Sequence, residues 1–243
     1  MDDVAFGPCD FQTWRTAAAG QPLYAPLLAT PPGGLALGRL AQSLDGRIAT
    51  GNGASRWISG REDILHTHRL RALFDAVLVG AGTVAADDPQ LTTRDVPGRS
   101  PVRVILDAQR RLPAHHRVFQ DGPATLLACA EEAGGDARHG RAEVLRLPCR
   151  QRRLDPHDVL AALAARGLRR VFVEGGGITV SHFLAAGALD RLHVTVAPLL
   201  LGSGIPAFTL PGATAPDDGL RLDWTVHTLG RDLLLDIPLL RTA

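Results

Sequence analysis

Short, mostly apolar runs recur along the chain, several of them closed by glycine or aspartate. They are Leu35–Ser43 (LALGRLAQS), Phe74–Gly80 (FDAVLVG), Val102–Asp107 (VRVILD), Ala124–Ala130 (ATLLACA) and Arg169–Gly175 (RRVFVEG). Near-continuous hydrophobicity of this length predicts strands buried on both faces of a mainly parallel sheet. Helical patterns fall between them. Ser59 followed by Glu62 predicts a capping box for a helix over Arg61–Leu73. Asp155-Pro156 predicts the start of another, which Gly167 closes. A third is read over Gly177–Ala186, with Gly187 as its stop. Beyond it, LDRLHVTVAPLLLG, LRLDWTVHTL and RDLLLDIPL are strand-like with no helix among them, which predicts antiparallel pairing. Met1–Gly34 reads as an irregular N-terminal arm packed on the body, and Gly202–Gly219 as a long loop. The expected fold class is α/β: an arm over residues 1–34, then one domain over 35–243 with a mixed, mainly parallel central sheet and antiparallel C-terminal strands.

Composition narrows the function. The chain has 243 residues, 45% of them hydrophobic, enough for a substantial core. A net charge of +1 gives no bulk field for nucleic acid or a membrane surface. No apolar run is long enough to cross a bilayer, and the start MDDVAFGPCD lacks a signal-peptide stretch, so a cytoplasmic protein is expected. Cys9, Cys129 and Cys149 stand far apart, which fits a reducing compartment. All 26 basic residues are arginine. That removes Schiff-base, pyridoxal phosphate and Walker-type lysine chemistry, and Tyr-Lys dehydrogenases. A bound phosphate must be held by arginine, backbone N–H groups or hydroxyls.

Three glycine-bearing stretches carry candidate chemistry. In VFVEGGGITVSHFLAAG (Val171–Gly187), three glycines separate a strand from a helix. Free N–H groups and the helix dipole there favour an anion, and bare backbone lets a phosphate approach; a tight turn is the other reading. The stretch is not G-x-G-x-x-G and comes late, which argues against a first-unit Rossmann site. In VGAGTVAADDPQLTTR, Gly80, Gly82 and Thr83 end a strand, and Asp87, Asp88 and Pro89 form a turn. Two such loops at the carboxyl ends of parallel strands suit an extended phosphorylated ligand such as a dinucleotide. No further carboxylate or histidine lies near Asp87-Asp88, so no metal is expected. In SLDGRIATGNGASRWISG (Ser43–Gly60), Asp45-Gly46 reads as a turn or as a functional acid, and Trp57 as core or as a partner for a flat ring.

LAQSLDGRIA, SRWISG, HRLRALFDAVLVGAGTVAADDPQLTTR, VRVILD, VFVEGGG and LDRLHVTVAPLLLG, in this order and spacing, resemble the pyrimidine reductases of riboflavin biosynthesis. In many bacteria this reductase is the C-terminal domain of a bifunctional deaminase–reductase. The resemblance runs from about Leu35 to the C-terminus. It implies a dihydrofolate-reductase-like, three-layer fold, a homodimer, and NADPH-dependent reduction of the ribosyl chain of 5-amino-6-(5-phosphoribosylamino)uracil, with NADH left open. It implies that Ala41, Trp57, Thr83, Asp87, Gly175 and the stretch Gly176–His182 (Gly176, Gly177, Ile178, Thr179, Val180, Ser181, His182) face the cofactor. Ser55, Arg71, Leu91, Arg94 and Glu174 would face the substrate.

The residue chemistry agrees with those roles. Arg71 and Arg94 can grip a phosphate bidentately, or stand as solvated surface arginines. Glu174 ends an interior strand and needs a partner, which pyrimidine or sugar donors would supply. The expected reaction opens the sugar to an imine at C1′, which takes hydride and ends as an open polyol. Asp45 and Glu174 are the expected acids for ring opening, with water as the alternative. No H-x-E…P-C-x-x-C zinc pattern occurs, so deaminase activity and zinc are not expected. A same-fold reductase of another heterocycle, pterin-like or a secondary-metabolite precursor, and a non-catalytic nucleotide-binding homologue are the alternatives.

Overall fold

The apolar run Leu35–Ser43 forms strand β1, whose side chains divide between two cores. Leu35 and Leu37 enter one, Ala36 and Leu40 the other, as the two-residue strand period requires. The computed structural model describes residues 10–29 and 33–239. Its further strands are β2 (Arg47–Thr50), β3 (Ala76–Gly80), β4 (Val102–Leu106), β5 (Thr125–Ala130), β6 (Arg138–His139) and β7 (Ala142–Leu147). They continue with β8 (Cys149–Arg150), β9 (Arg153–Leu154), β10 (Arg170–Glu174), β11 (Arg191–Ala197), β12 (Gly204–Pro206), β13 (Thr225–Leu229) and β14 (Asp232–Pro238). The main sheet runs β13-β14-β11-β1-β10-β3-β4-β5-β7-β6. Every neighbouring pair from β11 to β7 is parallel. β14 pairs antiparallel with β11 and β13 with β14, as the C-terminal pattern predicts.

The helices are α1 (Phe11–Ala19), α2 (Ala25–Leu28), α3 (Arg61–Leu73), α4 (Ala81–Asp87), α5 (Pro156–Ala164) and α6 (Gly177–Ala185). Leu70 and Leu73 of α3 and Val84 of α4 pack on one face of the sheet with Trp14, Tyr24 and Leu27. Val159 and Leu163 of α5 and Val180 and Phe183 of α6 pack on the other. The result is the three-layer α/β architecture expected.

Several local expectations need correction. The arm is not irregular where described: Asp10 caps α1 by accepting from the Gln12 and Thr13 amides, and α1 and α2 bury Trp14, Tyr24 and Leu27. The rest of that arm, Met1–Cys9 and Thr30–Pro32, lies outside the described residues, Cys9 included. The stretch after Gly80 is not a plain loop but α4. Gly60, not Ser59, is the N-cap of α3; the Ser59 hydroxyl bonds to Asp63 instead. β2 and β12 pair within segments read as loop, and β7 escaped notice because AEVLRL mixes charged and apolar residues.

A buried polar chain crosses the first core. Asp236, held at about 2 against burial by bonds from His193 and Arg191, is ionised. His193 and His66 are buried and pushed below the ordinary histidine range, chiefly by burial, so both are neutral. The proton order follows. Tyr24 donates to His66 Nδ1 (2.9 Å), His66 Nε2–H to His193 Nδ1 (3.1 Å), and His193 Nε2–H to Asp236 (3.2 Å). The chain ties α2, α3, β11 and β14 together.

In the unfolded chain these histidines recover their ordinary affinity for protons. Stability is therefore full above about pH 6.5 and falls as acid drives protons onto the unfolded state, with Asp236 extending the loss below its ordinary 3.8. The urea midpoint is expected to drop between about pH 7.5 and about pH 5, and His66→Gln to shallow that dependence.

Candidate active site

β3 and β10 lie side by side and parallel, yet the helices that follow them leave on opposite faces of the sheet, α4 to the first core and α6 to the second. A crevice opens between two strand–helix turns at the carboxyl edge, the usual place for ligands in open α/β sheets. The two turns interlock. A Cβ at Gly80 would strike Thr179 Oγ1, and a Cβ at Gly176 would come within 2.8 Å of Thr83 Oγ1. Each glycine faces the other turn's threonine. Gly177 lies against the backbone oxygens of Pro206 and Ala207. Two of the three consecutive glycines are thus bare because protein backbone or side chain fills the space. Gly175 alone of the three, at φ 68°, faces open space beside the start of α6. It supplies the uncovered surface an anion needs near free helical N–H groups.

The crevice widens into a cleft of about 920 Å³, at the upper end of the range for small-molecule sites. Of the residues expected at the cofactor, Ala41, Trp57, Thr83, Asp87, Gly175, Gly176, Gly177, Ile178, Thr179 and His182 line it. Ser55, Leu91 and Glu174 line it from the substrate set. Trp57 is 81% exposed and holds φ 67°, a left-handed backbone unusual for a bulky residue. A flat, exposed ring at a cleft mouth is suited to stacking on another ring.

Five expected residues are elsewhere. Val180 is in the second core, and the Ser181 hydroxyl accepts from the Thr209 amide (2.9 Å); both lie on the inner side of α6. Asp45 is outside the lining. Its carboxylate accepts from the Ser43 hydroxyl (2.5 Å) and from the amides of Leu201 (3.1 Å) and Gly202 (2.7 Å). Those bonds, Ser43 first, hold it at about 2, so it pins a turn and is no proton donor near neutrality. Arg71 is buried behind the cleft. It donates through Nε to Glu174 Oε2 (2.7 Å), through Nη2 to Glu174 Oε1 and through Nη1 to the Thr92 carbonyl (3.0 Å). Three of its five N–H donors are thus committed within the protein. Arg94 is half exposed outside the lining, with its amide donating to His68 Nδ1 (3.2 Å).

The Arg71 fork thus favours the carboxylate form of Glu174. Burial pushes its pKa up, but the charge and bonds of Arg71, reinforced by Arg39 and His68, more than offset this and hold it below the usual range. In that state it is suited to accept hydrogen bonds. Asp87, whose pKa is raised by burial against the opposing charge of Arg56, is the lining carboxyl suited to carry a proton.

Arg39 was not anticipated. It sits on β1 opposite Glu174 in register, lines the cleft and pairs with Asp63, whose other oxygen accepts from Thr195 (2.6 Å). Its Nε is buried with no hydrogen-bond partner among the described residues. The signal was available: a charge inside the apolar run LALGRLAQS must be paired or functional. Gln109, Arg111, Arg152 and Arg153 also line the cleft. No lone motif marks these four, because β4 and a distant hairpin bring them together.

The interlock makes a test. Gly176→Ala is expected to destabilise the fold by about 1–2 kcal/mol for the left-handed backbone alone, plus the contact with Thr83. Denaturant titration should show that Thr83→Ala recovers part of the loss, as a double-mutant cycle.

Residues 38–235 match the model of the RibD C-terminal domain family. A 2,5-diamino-6-ribosylamino-4(3H)-pyrimidinone 5′-phosphate reductase of Methanothermobacter thermautotrophicus is 39% identical over 206 residues, covering 81% of this chain and 94% of that protein. The riboflavin biosynthesis protein RibD of Mycobacterium tuberculosis is 36% identical over 204 residues, 82% of this chain and 52% of its own length. A diaminohydroxyphosphoribosylaminopyrimidine deaminase/5-amino-6-(5-phosphoribosylamino)uracil reductase from Thermotoga maritima superposes with a TM-score of 0.72 at 30% identity, over 85% of this chain and 57% of that one. The chain thus spans about half the length of its RibD relatives.

Proposed function

The chain belongs to the RibD C-terminal domain family, the pyrimidine reductases of riboflavin biosynthesis, and from that premise we propose that it uses NADPH to reduce the ribosyl chain of 5-amino-6-(5-phosphoribosylamino)uracil to the ribitylamino product. One observation carries the reading. The crevice between the interlocked turns meets a polar floor, where the fixed carboxylate of Glu174 and the unsatisfied Nε of Arg39 lie on adjacent strands.

The residues present fit a nicotinamide dinucleotide. Gly175 and the start of α6 would suit its pyrophosphate, and the lining residues Thr83, Thr179 and Trp57 would contact other parts of it. When bound, that cofactor supplies the hydride. The protein's own part is to hold the acceptor carbon against it and exclude water. Glu174 would accept from pyrimidine or sugar donors, and Arg39 Nε would donate to a carbonyl or hydroxyl oxygen. Asp87 is the preferred proton donor for opening the sugar. Arg94 is the preferred cation for the 5′-phosphate, since its pair with exposed Asp95 is long (3.9 Å).

The Methanothermobacter relative, matched over nearly its full length, favours a second reading for the ring: the diamino pyrimidinone in place of the uracil. The two substrates differ in an exocyclic amine. We also read the protein as a cytoplasmic homodimer. Support comes from unpaired Cys129 and Cys149 and from the apolar sheet edge exposed at Trp224, Val226 and Leu233. Among the described residues no helix is long and apolar enough to cross a membrane.

Mass spectrometry after incubation with NADPH and each pyrimidine should show a gain of two hydrogens on one of them. No gain on either refutes the reading. Glu174→Gln should lower kcat/KM by about 10–100-fold, the scale of a lost charged hydrogen bond; unchanged turnover would remove Glu174 from the site. Sedimentation should give a dimer mass, and Val226→Asp a monomer.

A further inference from the structure

Between α4 and β4 the chain runs through residues 88–101 without helix or strand. Loops of this length are uncommon in compact domains and are usually functional. This one enters the cleft at Leu91 and then follows α3, which anchors it. The Thr92 carbonyl accepts from Arg71 Nη1 (3.0 Å), and a Cβ at Gly98 would come within 2.7 Å of the Ala72 Cβ. One turn earlier on the same helix, His68 is 1% exposed and makes two contacts to the loop. Its Nδ1 accepts from the Arg94 amide (3.2 Å), and its Nε2 stands 3.1 Å from Asp95 Oδ2.

These contacts define the state of the ring. Burial, and then the charge of Arg71, hold the His68 pKa at about 4, so the imidazole is neutral near pH 7. A neutral ring that accepts at Nδ1 carries its proton at Nε2 and donates it to Asp95. The same Asp95 oxygen lies 3.9 Å from Arg94 Nε, beyond hydrogen-bond reach. That long contact is the one ion pair of Arg94 among the described residues. The Arg94 backbone is thus tied down while its half-exposed guanidinium stays open to an incoming anion.

We propose that His68 is the positioning residue for Arg94: it fixes the Arg94 backbone and holds the Asp95 carboxylate off the Arg94 guanidinium, leaving that cation for the 5′-phosphate of the substrate. The inference rests on the reading above that Arg94 takes this phosphate. Two ring nitrogens let one side chain both accept from a backbone amide and donate to a carboxylate. Without the donor, Asp95 is free to close on Arg94 and compete with a phosphate dianion for it.

Calorimetry with ribose 5-phosphate reads the phosphate grip apart from turnover. His68→Asn keeps an acceptor near the Nδ1 position and loses the donor to Asp95. It should weaken ribose 5-phosphate binding about 3–10-fold, the scale of an exposed ion pair plus a hydrogen bond. It should also raise KM for the phosphorylated pyrimidine with kcat little changed. Asp95→Asn added to His68→Asn should restore most of the affinity, because the competing charge is gone; a loss of packing would not be restored. Asp95→Asn alone, at an exposed position, should bind at least as tightly as wild type, and it carries the test if His68→Asn does not fold. A folded His68→Asn chain with wild-type affinity, a double variant no better than His68→Asn, or weaker binding in Asp95→Asn overturns the proposal. Arg94→Ala separates it from the reading beneath it. Weaker binding in Arg94→Ala but not in His68→Asn leaves the phosphate with Arg94 and removes His68; wild-type binding in Arg94→Ala removes both. The expected pattern without pyrimidine reduction would keep this inference and remove the reductase reading.

Discussion

The cleft floor depends on four alternating charges. Arg39 on β1 and Glu174 on β10 are neighbours in register, and each has its counter-charge on α3: Asp63 for Arg39, Arg71 for Glu174. An isolated carboxylate at Glu174 would be expelled from its ionised form by burial. Removing one member of such a pair leaves a buried charge uncompensated, at about 3–5 kcal/mol. The arrangement does more than hold two strands and a helix together. It favours the ionised form of Glu174 and leaves the Nε–H of Arg39, a cleft-lining residue, without an acceptor among the described residues.

That design changes what each residue can do. Arg71, from its type alone, suits a phosphate; in the fold it grips Glu174 and the Thr92 carbonyl. Glu174, an acid by position, is held toward its carboxylate form by that grip. Asp45 belongs to a turn.

The parallel strands were legible because burial on both faces writes itself as a mostly apolar run. Leu35–Ser43 is β1 to the residue. Asp155-Pro156 marked the start of α5 because Asp can cap and proline loses nothing at the first turn. What stayed hidden depends on distant partners. α4 begins in a glycine-rich stretch that propensity assigns to loop, and only packing against β3 and β4 makes it helical. The hairpin arginines and Arg39 lie more than a hundred residues apart, and no spacing rule joins them. The three glycines announced a bare backbone, yet two are bare for Thr83 and the 206–207 segment and one for open space.

Lysine-free composition also has a visible use. Arg110 reaches the carbonyls of Gly134, Asp136 and Arg138, and Arg146 those of Glu131, Ala133 and Gly135. A planar fork can gather three carbonyls at once, as a single ammonium on a flexible stem does less well. The Gly80–Thr179 and Gly176–Thr83 contacts have a different kind of consequence, for descent. Neither turn can acquire a larger residue by a single neutral step, since the obstacle stands on the other loop. Lineages that drift here must change both members of a pair together, so the two corners should vary among homologues as one coupled character.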